Sequence, residues 1–134
     1  MNLVPLALFF LCTAVMGVVT GPEETEDQVQ LKLKIGEEQR LKNEGLRIRF
    51  VSVVEDSRCP KNVNCVWAGN GKVLLNIADR RKKSRSVELN TNLEPRAVTS
   101  SGYEIKLLEL DPYPVVNETI QPDKYVAILA IRKL

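Results

Sequence analysis

From Val29 onward, apolar side chains recur at every second position in one segment after another. A period of two sends alternate side chains to opposite faces of an extended chain, so each such segment reads as a strand with one buried and one wet face. Val29, Leu31, Leu33 and Ile35 alternate with Gln30, Lys32 and Lys34. Leu46, Ile48 and Phe50 alternate with Arg47 and Arg49, and the run continues as Val51-Ser52-Val53-Val54. That continuation is apolar on both faces and predicts a strand in the middle of a sheet. Lys72 to Ala78 is a further strand, and Arg85 to Leu89 returns beside it as a hairpin. Tyr103, Ile105 and Leu107 alternate again, after which Leu108 and Leu110 shift the phase by one residue, the mark of a bulge. Tyr125 to Ile131 is the most apolar segment and predicts another central strand.

The interruptions carry turn chemistry. Gly36-Glu37-Glu38, Asn43-Glu44-Gly45 and Asp79 to Ser84 break the alternation. Asn90 to Ser101 is a long polar connection with a short strand expected near Val98, and Pro112 and Pro114 must leave the ladder because neither can donate to it. Gln39 to Lys42 reads as a short strand, although Gln39 to Glu44 is also the best candidate for a helix, ended by Gly45. Seven or eight short strands without a convincing helical stretch predict an all-β fold, an antiparallel sandwich or barrel, as one domain over residues 29–134.

The first twenty residues follow another rule. Fifteen of them are apolar and none is charged, so all 19 basic and 17 acidic side chains lie in positions 21–134. The run from Leu3 to Val19 reads as the core of a secretory signal peptide spanning residues 1–20, with cleavage fitting after Gly17 or Thr20. The competing expectation is an uncleaved anchor, for which about 17 residues is the lower limit of a bilayer span. Lipid attachment at Cys12 fits less well, because Phe10 and Leu11 precede it where a small residue is needed. Residues 21–28 form an acidic leader without an apolar side chain, expected to be disordered. The localisation read from this is secreted or periplasmic.

There is no histidine. A Ser-His-Asp triad, a Cys-His pair and an imidazole metal site therefore cannot be built from this chain alone. Ser57, Ser100 and Ser101 lack an activating base, and no S-x-x-K run replaces one. The carboxylate pairs Glu23-Glu24, Glu37-Glu38 and Glu55-Asp56 are adjacent in sequence and point apart in extended chain, whereas a glycosidase needs two acids facing one cleft. Asp79, Asp111 and Asp123 stand at strand ends without the D-x-D-x-D-G run of a calcium loop. No metal and no cofactor is expected.

Once the signal is removed, Cys59 and Cys65 remain, and in an exported chain they should form a disulfide. A ring closed over five intervening residues serves mainly to fix one loop. Trp67, the only tryptophan, follows the ring directly. Two places are open to its indole: packed under the disulfide as core, which is the ordinary expectation, or exposed as an anchor for a partner. Asp56 and Arg58 flank Ser57 closely enough to pair, and Asp56, Arg58 and Trp67 together form the candidate interaction loop. Gly69-Asn70-Gly71 supplies backbone freedom for the turn into the next strand.

In one line, this region reads E-D-S-R-C-P-x4-C-V-W-A-G, from Glu55 to Gly69. It resembles a family of small secreted bacterial proteins of unknown function that share a D-S-R-C-P…C-x-W-A-G signature. The likeness continues through Leu31 to Leu41, L-N-T-N-L-E-P-R at Leu89 to Arg96, the Tyr103 to Leu110 strand, P-Y-P and the closing Y-V-A-x-L-A-I. The resemblance implies secretion, the disulfide and a β fold, and it implies no catalytic residue.

Arg80, Arg81, Lys82, Lys83 and Arg85 place five positive charges within six residues, a possible anion-binding tip. No aromatic residue is interleaved for base stacking, and the net charge is only +2, so nucleic acid is not an expected partner and a solvated hairpin tip is the simpler reading. Asn117-Glu118-Thr119 matches the N-glycosylation pattern, which matters only in a eukaryotic secretory pathway. The function expected from all this is an exported, non-enzymatic binding or envelope-associated module. It would be a monomer meeting a protein or glycan outside the cytoplasm, with membrane contact only through an uncleaved N-terminus. The alternatives are a secreted hydrolase inhibitor presenting the Cys59–Cys65 loop and a carboxylate-dependent enzyme acting on a glycan.

Overall fold

The computed structural model describes Gly17 and residues 28–42, 45–81 and 83–134. Apart from Gly17 and Gln28, the signal segment and acidic leader lie outside the described residues, as does Lys82. Eight strands form, the longer ones where the alternation places them: β1 (Gln28–Lys34), β2 (Glu38–Arg40), β3 (Arg47–Asp56), β4 (Gly71–Ala78), β5 (Ser84–Asn90), β6 (Ala97–Ser100), β7 (Tyr103–Asp111) and β8 (Val126–Lys133). One short 3-10 turn, Pro122–Lys124, precedes β8. The stretch from Gln39, which also suits a helix, starts instead as the end of β2. Its residues pair across to Ile48 and Arg47 of β3, which supplies the backbone partners an isolated helical turn would lack.

The strands make two antiparallel four-stranded sheets, ordered β1-β8-β7-β6 and β2-β3-β4-β5. Apart from β1, which pairs with β8, neighbours within each sheet are sequential strands, and the chain changes sheet only between β1 and β2 and between β5 and β6. The order is that of an up-and-down meander folded into a sandwich. The two seams are not joined by continuous pairing, so no closed barrel forms.

The core sits between the sheets and uses the predicted faces. Leu31 and Leu33 of β1, Ile48 and Phe50 of β3, Val73, Leu75 and Ile77 of β4, and Ile105 and Leu107 of β7 are all buried. β8 lies between β1 and β7, as its apolar composition predicts. Its inner residues Ala127, Leu129 and Ile131 are buried in the core. On its outer face Ile128 is buried too, flanked in register by Lys32 and Glu109, whose long stems suit the covering of such a position. The phase shift in β7 is a bulge: the register with β8 slips between Leu107 and Glu109, which returns Leu110 to the core. β3 is likewise interior, but it slips twice, between Phe50 and Ser52 and between Val53 and Glu55. These slips leave Val51 and Val54 exposed although the segment is apolar on both faces.

Because neighbouring strands alternate in direction, the connections sort to two ends. Residues 57–70, 91–96 and 112–125 join β3 to β4, β5 to β6 and β7 to β8 at what we call the loop end. The β2–β3, β4–β5 and β6–β7 returns lie at the opposite turn end. Gln28 is paired with Arg132, so the start of β1 and the finish of β8 also lie at the turn end.

Candidate functional site

At the loop end the pairing of β3 with β4 continues beyond the strands. Ser57 N donates to Asn70 O at 2.8 Å, and Cys59 N donates to Ala68 O at 3.0 Å. The two walls are so close that a Cβ on Gly69, which has φ +70°, would lie 1.8 Å from the Ser57 carbonyl oxygen. Only glycine fits such a position.

Arg58 then turns inward and is 6% exposed. Its Nε and Nη2 each donate to one oxygen of Asp56 at 2.8 Å. Nη2 also donates to Pro112 O at 3.0 Å, and Nη1 donates to Leu110 O. The guanidinium carbon stands 4.9 Å from the centre of the Tyr113 ring, within cation–π range. Tyr125 completes the group by donating its hydroxyl to Asp56 Oδ2 at 2.8 Å. A planar fork that satisfies a carboxylate and two carbonyls at once explains why arginine rather than lysine occupies this site. Burial pushes the Asp56 carboxyl up, but the hydrogen bonds from Arg58 and Tyr125 and the Arg58 charge outweigh it and hold the carboxyl below its ordinary 3.8. Burial, and then the hydrogen bond to Asp56 and its negative charge, push the Tyr125 phenol up to about 12.

A second buried group ties in the β5–β6 connection. Asn70 Nδ2 donates to Asn90 Oδ1 at 2.8 Å, and Asn70 Oδ1 accepts from the backbone N–H groups of Asn92 and Leu93, each at 3.2 Å. Asn90 Nδ2 donates to Pro95 O at 3.0 Å. Gly71 and Thr91 exchange two bonds of 2.8 Å, Thr91 N to Gly71 O and Gly71 N to Thr91 Oγ1. Buried amides satisfied in this way specify a single arrangement of the loops.

These two groups support the disulfide loop. Cys59 and Cys65 are bonded, with Cα atoms 5.9 Å apart. Lys61 N donates to Pro114 O at 3.1 Å, and Val116 N donates to Asn62 Oδ1 at 3.0 Å, which fastens the ring to the β7–β8 connection. Beyond the ring, Val66 is 94% and Trp67 76% exposed. The expectation that the indole packs under the disulfide is therefore corrected. The inward-facing side chain of this loop is instead Arg58, which is buried and bonded to the Leu110 carbonyl. Val63, Leu93 and Tyr113 are exposed on the three loops of the same end. A shallow cleft of about 220 Å³ opens beside them, and Arg58, Gly69, Asn92, Leu108, Glu109 and Tyr113 are among its lining.

The candidate interaction loop thus divides into two roles. Asp56 and Arg58 are the brace, and Trp67 is the exposed element. Sequence reasoning missed Asn70, Asn90, Tyr113 and Tyr125 as parts of that brace. The available signal was the recurrence of asparagine in G-N-G and L-N-T-N at strand ends, where side-chain amides replace ladder partners.

At the turn end the described members of the basic run have different surroundings. Asp79 Oδ1 accepts from the backbone N–H groups of Arg81 at 2.9 Å and Lys83 at 3.2 Å, shaping the hairpin. Arg85 lies on β5 and donates to Thr99 O on β6. Asp79 is at this end, while Asp111 and Asp123 are at the other, so the three are not brought together. Among the described residues there is no group of three or more acidic or cysteine side chains placed to hold a metal ion, and no helix long and apolar enough to cross a membrane. Comparison of the chain with protein-family models, with curated proteins and with solved structures found no match.

Proposed function

We propose that this protein is an exported, non-enzymatic binding module whose loop end docks a partner protein outside the cytoplasm. The observation that carries the reading is the exposure of Val66 and Trp67 on a loop that is otherwise fixed by a disulfide, a buried ion pair and a buried amide pair. A large apolar side chain held in water by a rigid support loses little conformational freedom on binding, and tryptophan is enriched among the residues that dominate interfaces. The neighbouring cleft is sized for one partner side chain, with Arg58 and Asn92 as polar walls. Export is supported by the uncharged N-terminal segment and by the disulfide. The resemblance to small secreted bacterial proteins agrees with it.

Trp67 is the only tryptophan, so its fluorescence reports the site directly. Immobilised protein should capture a partner from an extracytoplasmic fraction, with a blue shift of the indole emission on mixing, and the Trp67→Ala variant should not capture it. Equal capture by both forms, or capture by neither, removes this assignment. A blue shift with glycan fragments instead of protein would reassign the surface to sugar stacking.

The inhibitor reading rests on the same loop, fixed by Lys61 and Asn62 as well as by its disulfide. A panel of proteases assayed with micromolar protein decides it. The enzyme reading has less support, because Asp56 is committed to Arg58 and Tyr125 and the cleft is lined by one carboxylate, Glu109.

A further inference from the structure

Each sheet has two edge strands, and three of the four edges are short or bridged. β2 has three residues and β6 has four. β5 faces β6 where the sheets meet, and there Arg85 of β5 donates to Thr99 O of β6 and Asn90 N donates to Pro95 O. β1 differs from all three. Lys34 N donates to Glu37 Oε2 at 2.9 Å, and Lys34 O accepts from Glu37 N at 3.0 Å, so both backbone groups of Lys34 turn away from β8. β1 and β8 pair without a slip from Gln28 to Lys34. In an antiparallel ladder alternate residues turn the same way, so Lys32, Gln30 and Gln28 also send their N–H and C=O groups outward. Among the described residues, none bonds to them on that side.

A side chain points to the same gap. Val29 shares the inner face of β1 with the buried Leu31 and Leu33, yet it is 51% exposed. An open edge of this kind is a template for another strand. A second copy of β1 supplies one whose open residues match. Antiparallel pairing centred on Gln30 sets Gln30 opposite its own copy and Gln28 opposite Lys32. This register uses all three open residues in both copies and forms about six backbone hydrogen bonds. It also sets Val29 opposite Leu31 of the second copy, in the closer, non-hydrogen-bonded type of pair that covers an apolar side chain. Centring on Lys32 would oppose two lysines. Centring on Leu31 would give Gln28 the Lys34 groups that Glu37 already holds.

We propose that the protein forms a two-fold dimer by antiparallel pairing of β1 with β1 of a second copy, in place of the monomer expected from the sequence. The two four-stranded sheets ordered β1-β8-β7-β6 then join into one sheet of eight strands. The paired strands run in opposite directions, so the two loop ends face opposite ways and one dimer carries two separate Trp67 surfaces. The pairing does not depend on the partner proposed for the loop end.

Sedimentation equilibrium of the purified protein, from micromolar to millimolar concentration, tests this. The mass should rise from one copy towards two, because a strand-edge contact is small and its dimer dissociates on dilution. The backbone N–H groups of Gln28, Gln30 and Lys32 should gain exchange protection over the same range. Gln30→Pro removes an outward N–H that its own copy does not use, so this variant should fold and stay monomeric. Gln30→Thr keeps that N–H and should dimerise as the parent does. Val29→Gln should dissociate about tenfold more readily. Under mild oxidation Gln30→Cys should crosslink two copies, since facing Cα atoms stand about 5.5 Å apart, and Lys32→Cys should not. A one-copy mass at every concentration overturns the proposal, as does association that Gln30→Pro and Val29→Gln both leave unchanged. Equal crosslinking at positions 30 and 32 overturns the register.

Discussion

At the turn end β6 reaches β7 through Ser101 and Gly102 alone, both with positive φ, the two-residue hairpin whose twist suits antiparallel strands. At the loop end β3 needs residues 57–70 to reach β4, and β7 needs residues 112–125 to reach β8. The short return requires nothing beyond its own backbone geometry. Long connections without secondary structure ordinarily sit at the low-stability end of a protein. Here they share a small polar core of their own, built on Arg58, Asn70 and Asn90, outside the sandwich but continuous with it. The contrast shows that a loop region can be held by polar groups and one short disulfide when each donor and acceptor finds its partner, and that such support leaves an apolar side chain facing water.

The largest expected break in this contrast is Arg58→Ala. It leaves the half-buried Asp56 without its cation and takes the Arg58 donors from the Leu110 and Pro112 carbonyls. A loss of about 3–5 kcal/mol in urea unfolding is expected, with the loop end losing hydrogen-exchange protection before the turn end. Replacing Cys59 and Cys65 together by serine releases a small ring. The loss should be on the order of 2 kcal/mol in the loop-closure account, smaller than for Arg58→Ala because the disulfide spans few residues. If the double serine variant loses more stability than Arg58→Ala, the polar core is not what holds these loops.

The pH profile sharpens the same point. Asp56 is held below its ordinary 3.8, so its contribution is complete above that value and is lost as pH falls through the lower folded value. Tyr125 is raised from 10.0 to about 12, so its contribution is complete below pH 10 and is lost as pH rises through about 12. Tyr125→Phe should abolish the alkaline loss between these values and cost about 1.5 kcal/mol at neutral pH, the low end for a hydrogen bond to a charged group. An unchanged alkaline limb would place that titration elsewhere. The smallest effect on folding belongs to Trp67→Ala, within about 0.5 kcal/mol, because the indole is mostly in water. A change of several kcal/mol there would mean that the indole packs against the fold after all.

The strands are readable because their signal is local. The phase shift at Leu108 announces the β7 bulge, and the two apolar faces of Tyr125 to Ile131 announce a central strand. The two slips in β3 are not readable, since a run of valines fits either face. The brace is only half readable. Asp56 and Arg58 sit two residues apart, so their pairing is visible, but the carbonyls that complete the site lie 52 and 54 residues further on. No local pattern encodes that distance. Trp67 invites a core position because tryptophan beside a disulfide usually packs there. In the structure the buried side chain of this loop is Arg58 and the exposed one is Trp67, a choice that composition does not decide.

Gln28 at the start of β1 is paired with Arg132 near the finish of β8, so the strand order brings the two edges of the folded chain together. A short linker should therefore join Leu134 to Gln28, and the chain could then be reopened between Ser101 and Gly102. Such a circular permutant would keep every connection of the loop end intact. Its new ends would lie at the turn end as well, so a fused domain could be attached at either of them without approaching Trp67, which makes the sandwich a carrier that holds its cargo and its recognition surface at opposite poles.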